Sequence, residues 1–399
     1  MIGALDQESR PRLDWPQIIA VLLLLAIGAA FIHSATSSNE VFTNRAWYRQ
    51  PSLWHLIYGG LGLSIAGILC WIDYRQIARW AIVAYWGSIL LLLAVFVMGK
   101  EVYGAKRWIG IGPAQVQPSE FAKIGFIFMM AHYLSRPLEE LRQPRIFWRA
   151  LGLMALPFVL ILKEPDLGSA LLLLPVCLGM LWAAGTPPRW ILQLVGAAAL
   201  IVSLILVDVL YAPPQWQFKL KDYQKRRLMV YFGIDFAANA PASERTRLRR
   251  EQRAHSYNVE QALISVGSGG WFGKGWNQGQ QITLGYLPRA VSHNDFIFSV
   301  IAEEKGFLGS VVVLSLYSVV LFTGIRTAAQ SRDRLGRLLA VGVVTLIFSQ
   351  VFINIGMNIR IMPVTGVPLP LLSSGGSSVL CSLIAAGLLQ NIHLYRRNY

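Results

Sequence analysis

Residues 16–35, PQIIAVLLLLAIGAAFIHSA, decide the fold: they form one apolar run without a formal charge, entered through Trp15. A helix rises 1.5 Å per residue, so a run of this length covers about 30 Å, the thickness of bilayer hydrocarbon. Comparable runs recur near 54–72, 80–98, 119–134, 147–162, 167–184, 190–211, 305–325, 338–358 and 377–394, each bounded by charge, Pro, Gly or interfacial Trp and Tyr. Across 399 residues, 54% are hydrophobic and 14% charged, and mean hydropathy is +0.48. No water-soluble globule of this size accommodates that balance. Backbone exposed to lipid must satisfy its own hydrogen bonds, which selects helices. The expected fold is all-α, a polytopic membrane bundle of about ten transmembrane helices built as a single domain over 1–399.

Charge orients the bundle. With both termini cytoplasmic, about 15 Lys and Arg fall in short inner segments and about 7 in short outer ones, the bias that orientation requires. The first run exceeds a signal-peptide core and lacks a convincing small-residue cleavage site, so it reads as a retained anchor. Cys70, Cys177 and Cys381 fall in apolar runs without metal or redox spacing and read as inert thiols. The inner connections, such as 136–149 and 326–337, are too short for a nucleotide-binding domain. One long outer segment, 212–294, forms a large extracytoplasmic loop, and a connection of that length points to function. The net charge of +15 suits anionic membrane lipids, and the topology leaves nucleic acid aside. An arginine-rich run, Arg245, Arg247, Arg249, Arg250 and Arg253, reads either as a solvated helix face or as a contact for lipid headgroups or a lipid diphosphate.

Asp295 stands in Ser292-His293-Asn294-Asp295-Phe296, where the long loop re-enters the membrane. A carboxylate costs roughly 2.5 to 3.5 kcal/mol near a bilayer centre and less toward its edge, so one at the mouth points to a task, here proton abstraction. Ser292-x-x-Asp295 also reads as a cap for a helix starting at Phe296, and one position can serve both ends. Glu120 and Lys123 share a helix face; they read as a structural ion pair or as a lysine facing a hydrophilic cavity and held there by the glutamate. Lys163-Glu164-Pro165-Asp166 interrupts two apolar runs, with Gly168 permitting close approach. It reads as a turn, or as carboxylates that orient a sugar or hold a divalent cation such as Mg²⁺, with Asp166 or Asp295 as a ligand. Ser373, Ser374 and Gly375 precede the last run, an ordinary turn or a phosphate cradle at a helix N-terminus. Arg107 and Arg360 add charge-assisted contacts. His293 reads as a satisfied hydrogen-bonder or as a group tuning Asp295. The glycine run Gly267 to Gly275 lacks the ending of a nucleotide loop and reads as a flexible flap over the cavity.

The runs Arg107-Trp108-Ile109, Gln117 to Lys123, Lys163 to Gly168, Gly267 to Gly275, His293 to Phe296 and Pro368 to Gly376 occur in an order that resembles the SEDS family, the shape, elongation, division and sporulation proteins. Tyr223 to Arg227 and Gly366 to Pro370 resemble its elongation branch more than its division branch. The resemblance implies a peptidoglycan glycosyltransferase that polymerises lipid II at the outer face of the plasma (inner) membrane during cell elongation. It also implies a class B penicillin-binding protein as transpeptidase partner, among other elongation-complex membrane proteins. On that reading Asp295 is the general base toward the 4-hydroxyl of the acceptor N-acetylglucosamine, and undecaprenyl diphosphate leaves. Glu120, Lys123, Arg107, Asp166, Glu164, Lys163, His293, Arg360, Ser373, Ser374 and Gly375 are its expected substrate contacts. No cofactor is implied beyond a divalent cation. Two departures stand out: the arginine-rich insertion between Phe232 and Tyr257, and Ser374 before the glycines where relatives often have tyrosine. The rival readings are a lipid II flippase or secondary transporter, which needs a polar path to both faces, and a scaffold, for which the buried polar residues are dispensable.

Overall fold

The computed structural model describes residues 13–37, 46–102, 105–111, 114–211, 229, 231–233, 242–287 and 292–396. Its helices are, in chain order, α1 (Trp15–Ser37), α2 (Pro51–Leu69), the short α3 (Tyr74–Ala78), α4 (Ala81–Met98), α5 (Pro118–Leu134), the short α6 (Leu138–Leu141), α7 (Pro144–Lys163), α8 (Leu167–Ala184), α9 (Pro188–Tyr211), α10 (Ala242–Ser268), the short α11 (Gln280–Thr283), α12 (Ile297–Gln330), α13 (Arg334–Asn358) and α14 (Gly376–Tyr395). Nine helices among the described residues, α1, α2, α4, α7, α8, α9, α12, α13 and α14, are long and apolar enough to cross a membrane. The chain is a multi-pass helical membrane protein.

The expected fourth span is present in a different form. Helix α5 has 17 residues, roughly 25 Å of rise, and buries twelve of them against α4, α7, α8 and α13. An enclosed helix can carry Glu120 and Lys123 where a lipid-facing one cannot. Pro at the first turn starts α2, α5 and α7, where its missing N–H costs nothing. Asp166 starts α8 by accepting from the Ser169 amide at 3.1 Å. The buried side chains form one cluster running from Ala20 to Ile392.

Two features were not legible in the pattern. A small antiparallel sheet, β1 (Lys100–Val102), β2 (Ala105–Ile111) and β3 (Ala114–Val116), joins α4 to α5 and carries Arg107 on its middle strand. Helix α12 is broken at Gly306, whose φ of 65° and ψ of −158° are open only to glycine. The glycine run closes that break rather than forming a flap. Lys274 and Gly275 donate backbone N–H groups to the carbonyls of Glu303 and Glu304, each at 3.0 Å, and Phe307 and Leu308 donate to Gly270 and Trp271. A Cβ on Gly269 or Gly273 would collide with α12 backbone at about 2 Å. Gly269 and Gly273 are there for close contact with the α12 backbone.

Candidate functional site

Asp295 is half-buried at the entrance to α12. The helix begins at Ile297 with Phe296 at the cap position and no side-chain cap hydrogen bond there, and the buried Ser292 hydroxyl meets no partner. The backbone of Asp295 is firmly held. Its carbonyl accepts from Asn354 Nδ2 and Asn358 Nδ2, both at 3.1 Å. Both asparagines are fully buried. Asn354 also donates to the Val367 carbonyl at 2.8 Å, and Asn358 Oδ1 accepts from Ser299 Oγ at 2.5 Å. The pair at i and i+4 within the apolar run of α13 was the signal in the sequence, since two amides on one face of a span need a common polar partner. It was missed.

The turn before α14 clamps the same loop from the other side. Ser373 Oγ donates to the Asn294 carbonyl at 2.6 Å and accepts from the Leu369 amide at 2.8 Å, while the Ser374 amide donates to the His293 carbonyl at 2.9 Å. Ser373 is 1% exposed, so its hydroxyl serves the clamp and does not face a ligand. Ser374 and Gly375 remain half-exposed at the start of α14, and no serine cap forms there. His293 is buried beside the clamp.

A second cluster gathers around the turn between α7 and α8. Arg107 Nε donates to the Glu164 carbonyl at 3.1 Å, its terminal nitrogen donates to the Pro165 carbonyl, and its guanidinium lies 4.0 Å from Asp166. Asp166 takes a further bond from Gln117 Nε2 at 3.1 Å. Glu164 is 1% exposed, and neither carboxylate oxygen meets a hydrogen-bond partner. Burial, reinforced by Asp166 and opposed by Arg107, pushes its pKa up to about 8. At neutral pH this carboxyl is held largely protonated.

The two clusters meet across one segment. A Cβ on Gly168 would stand 2.7 Å from the Thr365 carbonyl and 2.8 Å from Val367, so α8 packs directly on 365–367. On the same segment, a Cβ on Gly366 would stand 3.7 Å from Asp295 Oδ2. The helix start that carries Asp166, in the cluster with Glu164 and Arg107, and the loop of His293 and Asp295, clamped by Ser373 and Ser374 ahead of Gly375, therefore both border segment 365–367 at the mouth. Lys163 and Arg360 are exposed at the ends of α7 and α13. Glu120 and Lys123 are not open to a cavity: their ion pair closes at 2.7 Å with side chains 2% and 1% exposed.

The donor set does not suit a resident cation. Asp166 already engages the Ser169 amide, Gln117 and Arg107, and a guanidinium beside the same carboxylates repels a metal. Among the described residues no group of three His, Cys, Asp or Glu is placed to hold one. Of the arginine-rich run only the Arg245 side chain is described, and it is exposed on α10. Tyr223 to Arg227 lie outside the described residues.

The family model for FtsW, RodA and SpoVE, described as cell cycle protein, matches residues 15–398. The chain is 33% identical to the peptidoglycan glycosyltransferase MrdB of Escherichia coli K12 over 96% of this chain and 94% of that one. It is similar to a chain from a solved peptidoglycan synthase complex that coordinates polymerization and crosslinking, with a TM-score of 0.76 and 28% identity, covering 97% of this chain and 99% of that one. It is also similar to the crystal structure of RodA, the rod shape determining protein of Thermus thermophilus, with a TM-score of 0.63 and 29% identity over 96% and 98% of the two chains. With the order of its motifs, the geometry of its mouth and these likenesses in agreement, the chain belongs to the FtsW, RodA and SpoVE family, the SEDS family.

Proposed function

We propose that this chain is a peptidoglycan glycosyltransferase that polymerises lipid II during cell elongation, in the plasma membrane with both termini cytoplasmic and the Asp295 mouth on the extracytoplasmic face. The observation that carries the reading is the fixed seat of Asp295: four side chains or amides grip its loop by the backbone, with the half-exposed aspartate beside Gly366.

The acceptor's 4-hydroxyl attacks the anomeric carbon of the donor sugar. As the new carbon–oxygen bond forms, the bond to the diphosphate breaks and undecaprenyl diphosphate leaves with the electron pair. Asp295 takes the hydroxyl proton, a contribution on the order of 10² to 10⁴ in rate. Arg107 stands within the same mouth, and its positive charge suits the departing diphosphate. Glu164, neutral at pH 7, adds a hydrogen-bond donor without adding repulsion toward phosphate. Ser374 and Gly375 stand half-exposed at the start of α14 with their amides engaged by the His293 and Ser373 carbonyls, so they shape the mouth without offering free N–H groups. No step is routed through a metal.

A class B penicillin-binding protein is the partner that fits, since the related synthase complex couples polymerization to crosslinking. The test is labelled lipid II incubated with purified protein, with and without that transpeptidase. A glycan ladder that disappears with Asp295→Asn is expected. Lipid translocation without any ladder would transfer the assignment to a flippase.

A further inference from the structure

On the face opposite Asp295, the ends of α5 and α8 and the first turns of α6 and α13 border a cavity of about 200 Å³. Helix α8 starts beside the mouth at Leu167 and reaches this cavity after 18 residues, roughly 27 Å and close to the thickness of bilayer hydrocarbon. Leu134, Leu138 and Leu338 give the cavity apolar walls, and Arg334 and Arg337 give it positive ones. No carboxylate lines it among the described residues. Both arginines and the lining Gly185 are exposed, so the cavity opens to the membrane surface. Trp182, 73% exposed, adjoins the lining residue Ala183, and tryptophan at a span end marks the bilayer interface.

The protein leaves most of this positive charge unanswered. Arg334 donates from one terminal nitrogen to the Arg136 carbonyl, and Arg337 from one to the Ser331 carbonyl at 3.4 Å. A guanidinium carries five N–H groups, and among the described residues neither arginine forms an ion pair. The end of α8 does not call on them, because its Leu181 and Trp182 carbonyls accept from the Thr186 and Gly185 amides. The α13 dipole does not favour them either, since positive charge in a first turn opposes it. An anion with apolar matter attached answers both kinds of wall. A phosphodiester meets the guanidiniums through charge-assisted bonds, and its glycerol carbons cover the leucines, which free phosphate leaves bare. With no carboxylate on the wall to receive an ammonium, a headgroup of net negative charge gains more than a zwitterionic one. At about 30 Å³ per water-sized group, the cavity holds roughly seven such groups, a phosphate with part of a glycerol.

We propose that this cavity binds the headgroup of an anionic phospholipid of the phosphatidylglycerol class, its phosphate between Arg334 and Arg337 and its acyl chains in the adjoining leaflet. The site is independent of the glycosyl transfer proposed above. The test uses full-length protein in nanodiscs with phosphatidylglycerol bearing a diazirine close to its headgroup, compared with phosphatidylcholine labelled at the same position, and maps adducts by peptide mass spectrometry. Adducts of phosphatidylglycerol are expected on 134–138, 183–185 and 334–338, in excess of those of phosphatidylcholine. Arg334→Gln and Arg337→Gln should each lower that labelling about fivefold, the effect of about 1 kcal/mol per basic group. The paired change Arg145→Gln with Arg149→Gln, which removes two exposed charges near the start of α7 on the same face, leaves it unchanged. Excess inorganic phosphate, compared with chloride at matched ionic strength, also leaves it unchanged. Equal labelling by the two lipids, an equal loss in the α7 pair, or labelling that survives in a folded Arg334→Gln, Arg337→Gln double variant would each overturn the assignment. Displacement by inorganic phosphate would overturn the lipid as occupant and give the cavity to a soluble anion. Should the double variant not fold, as read by its melting transition, Arg337→Gln alone decides, since it gives up one long bond of 3.4 Å.

Discussion

Two of the buried charge clusters in this bundle are built on opposite terms. The Glu120–Lys123 pair on α5 closes on itself at 2.7 Å and is sealed from solvent. The Arg107, Glu164 and Asp166 cluster spends its guanidinium largely on backbone carbonyls and leaves a buried carboxyl without a partner. A self-satisfied pair maintains structure. An unsatisfied acid keeps capacity in reserve for something that arrives, and the contrast favours this cluster over the core of α5 as a place for the proposed chemistry.

The contrast breaks most visibly at Asp295. Asp295→Asn is expected to lower polymerisation by about 10² to 10⁴ while the melting temperature stays within a few degrees of wild type, because the clamp grips the backbone carbonyl, which the substitution keeps. A ladder of near-normal yield from this variant would remove the base from the mechanism. On the other side of the comparison, Lys123→Met leaves Glu120 buried and uncompensated, a cost of about 3 to 5 kcal/mol. The double variant Glu120→Gln with Lys123→Met should recover most of it in a denaturation assay. A folded Lys123→Met protein with wild-type stability and lost turnover would move the pair into the catalytic region and erase the distinction.

Glu164 sharpens the comparison through pH. Its folded pKa of about 8 lies above the ordinary carboxylate value, so between about 4.5 and 8 the folded state binds more protons than the unfolded one and stability falls as pH rises. Glu164→Gln should abolish that slope and stabilise the protein at pH 8, read from melting curves across this window. An unchanged slope would place the titration elsewhere. The smallest effect is expected at Asn358, where Asn358→Ala removes one of two bonds to the Asp295 carbonyl. A drop of about tenfold in kcat with little change in KM is expected, because a misplaced base costs rate more than binding. A change in KM alone would show that the asparagine contacts substrate.

Run length and composition made the spans legible. The run at 167–184 coincides with α8, and that at 147–162 lies inside α7. Residue type and order made the mouth legible as a set, because a carboxylate or guanidinium at a span end is conspicuous. Which polar groups were already spent was not legible. Ser373 looked like a ligand and is a clamp; Lys123 looked poised and is sealed; Gly267 to Gly275 looked like a hinge and is a splint. Asn354 and Asn358 were hidden inside an apolar run, where no formal charge marks them, yet they dominate the local hydrogen bonding. Strands of three to seven residues between 100 and 116 carried too short a pattern to register.

The splint at Gly306 also governs where this chain can change length. Each amide between Gly269 and Gly275 that docks on α12 does so in fixed register, so one inserted residue there would misalign every later contact and tilt the first turns of α12 together with Asp295. Scanning insertions through 269–275 should therefore abolish activity at every position, since the register on α12 leaves no residue to spare.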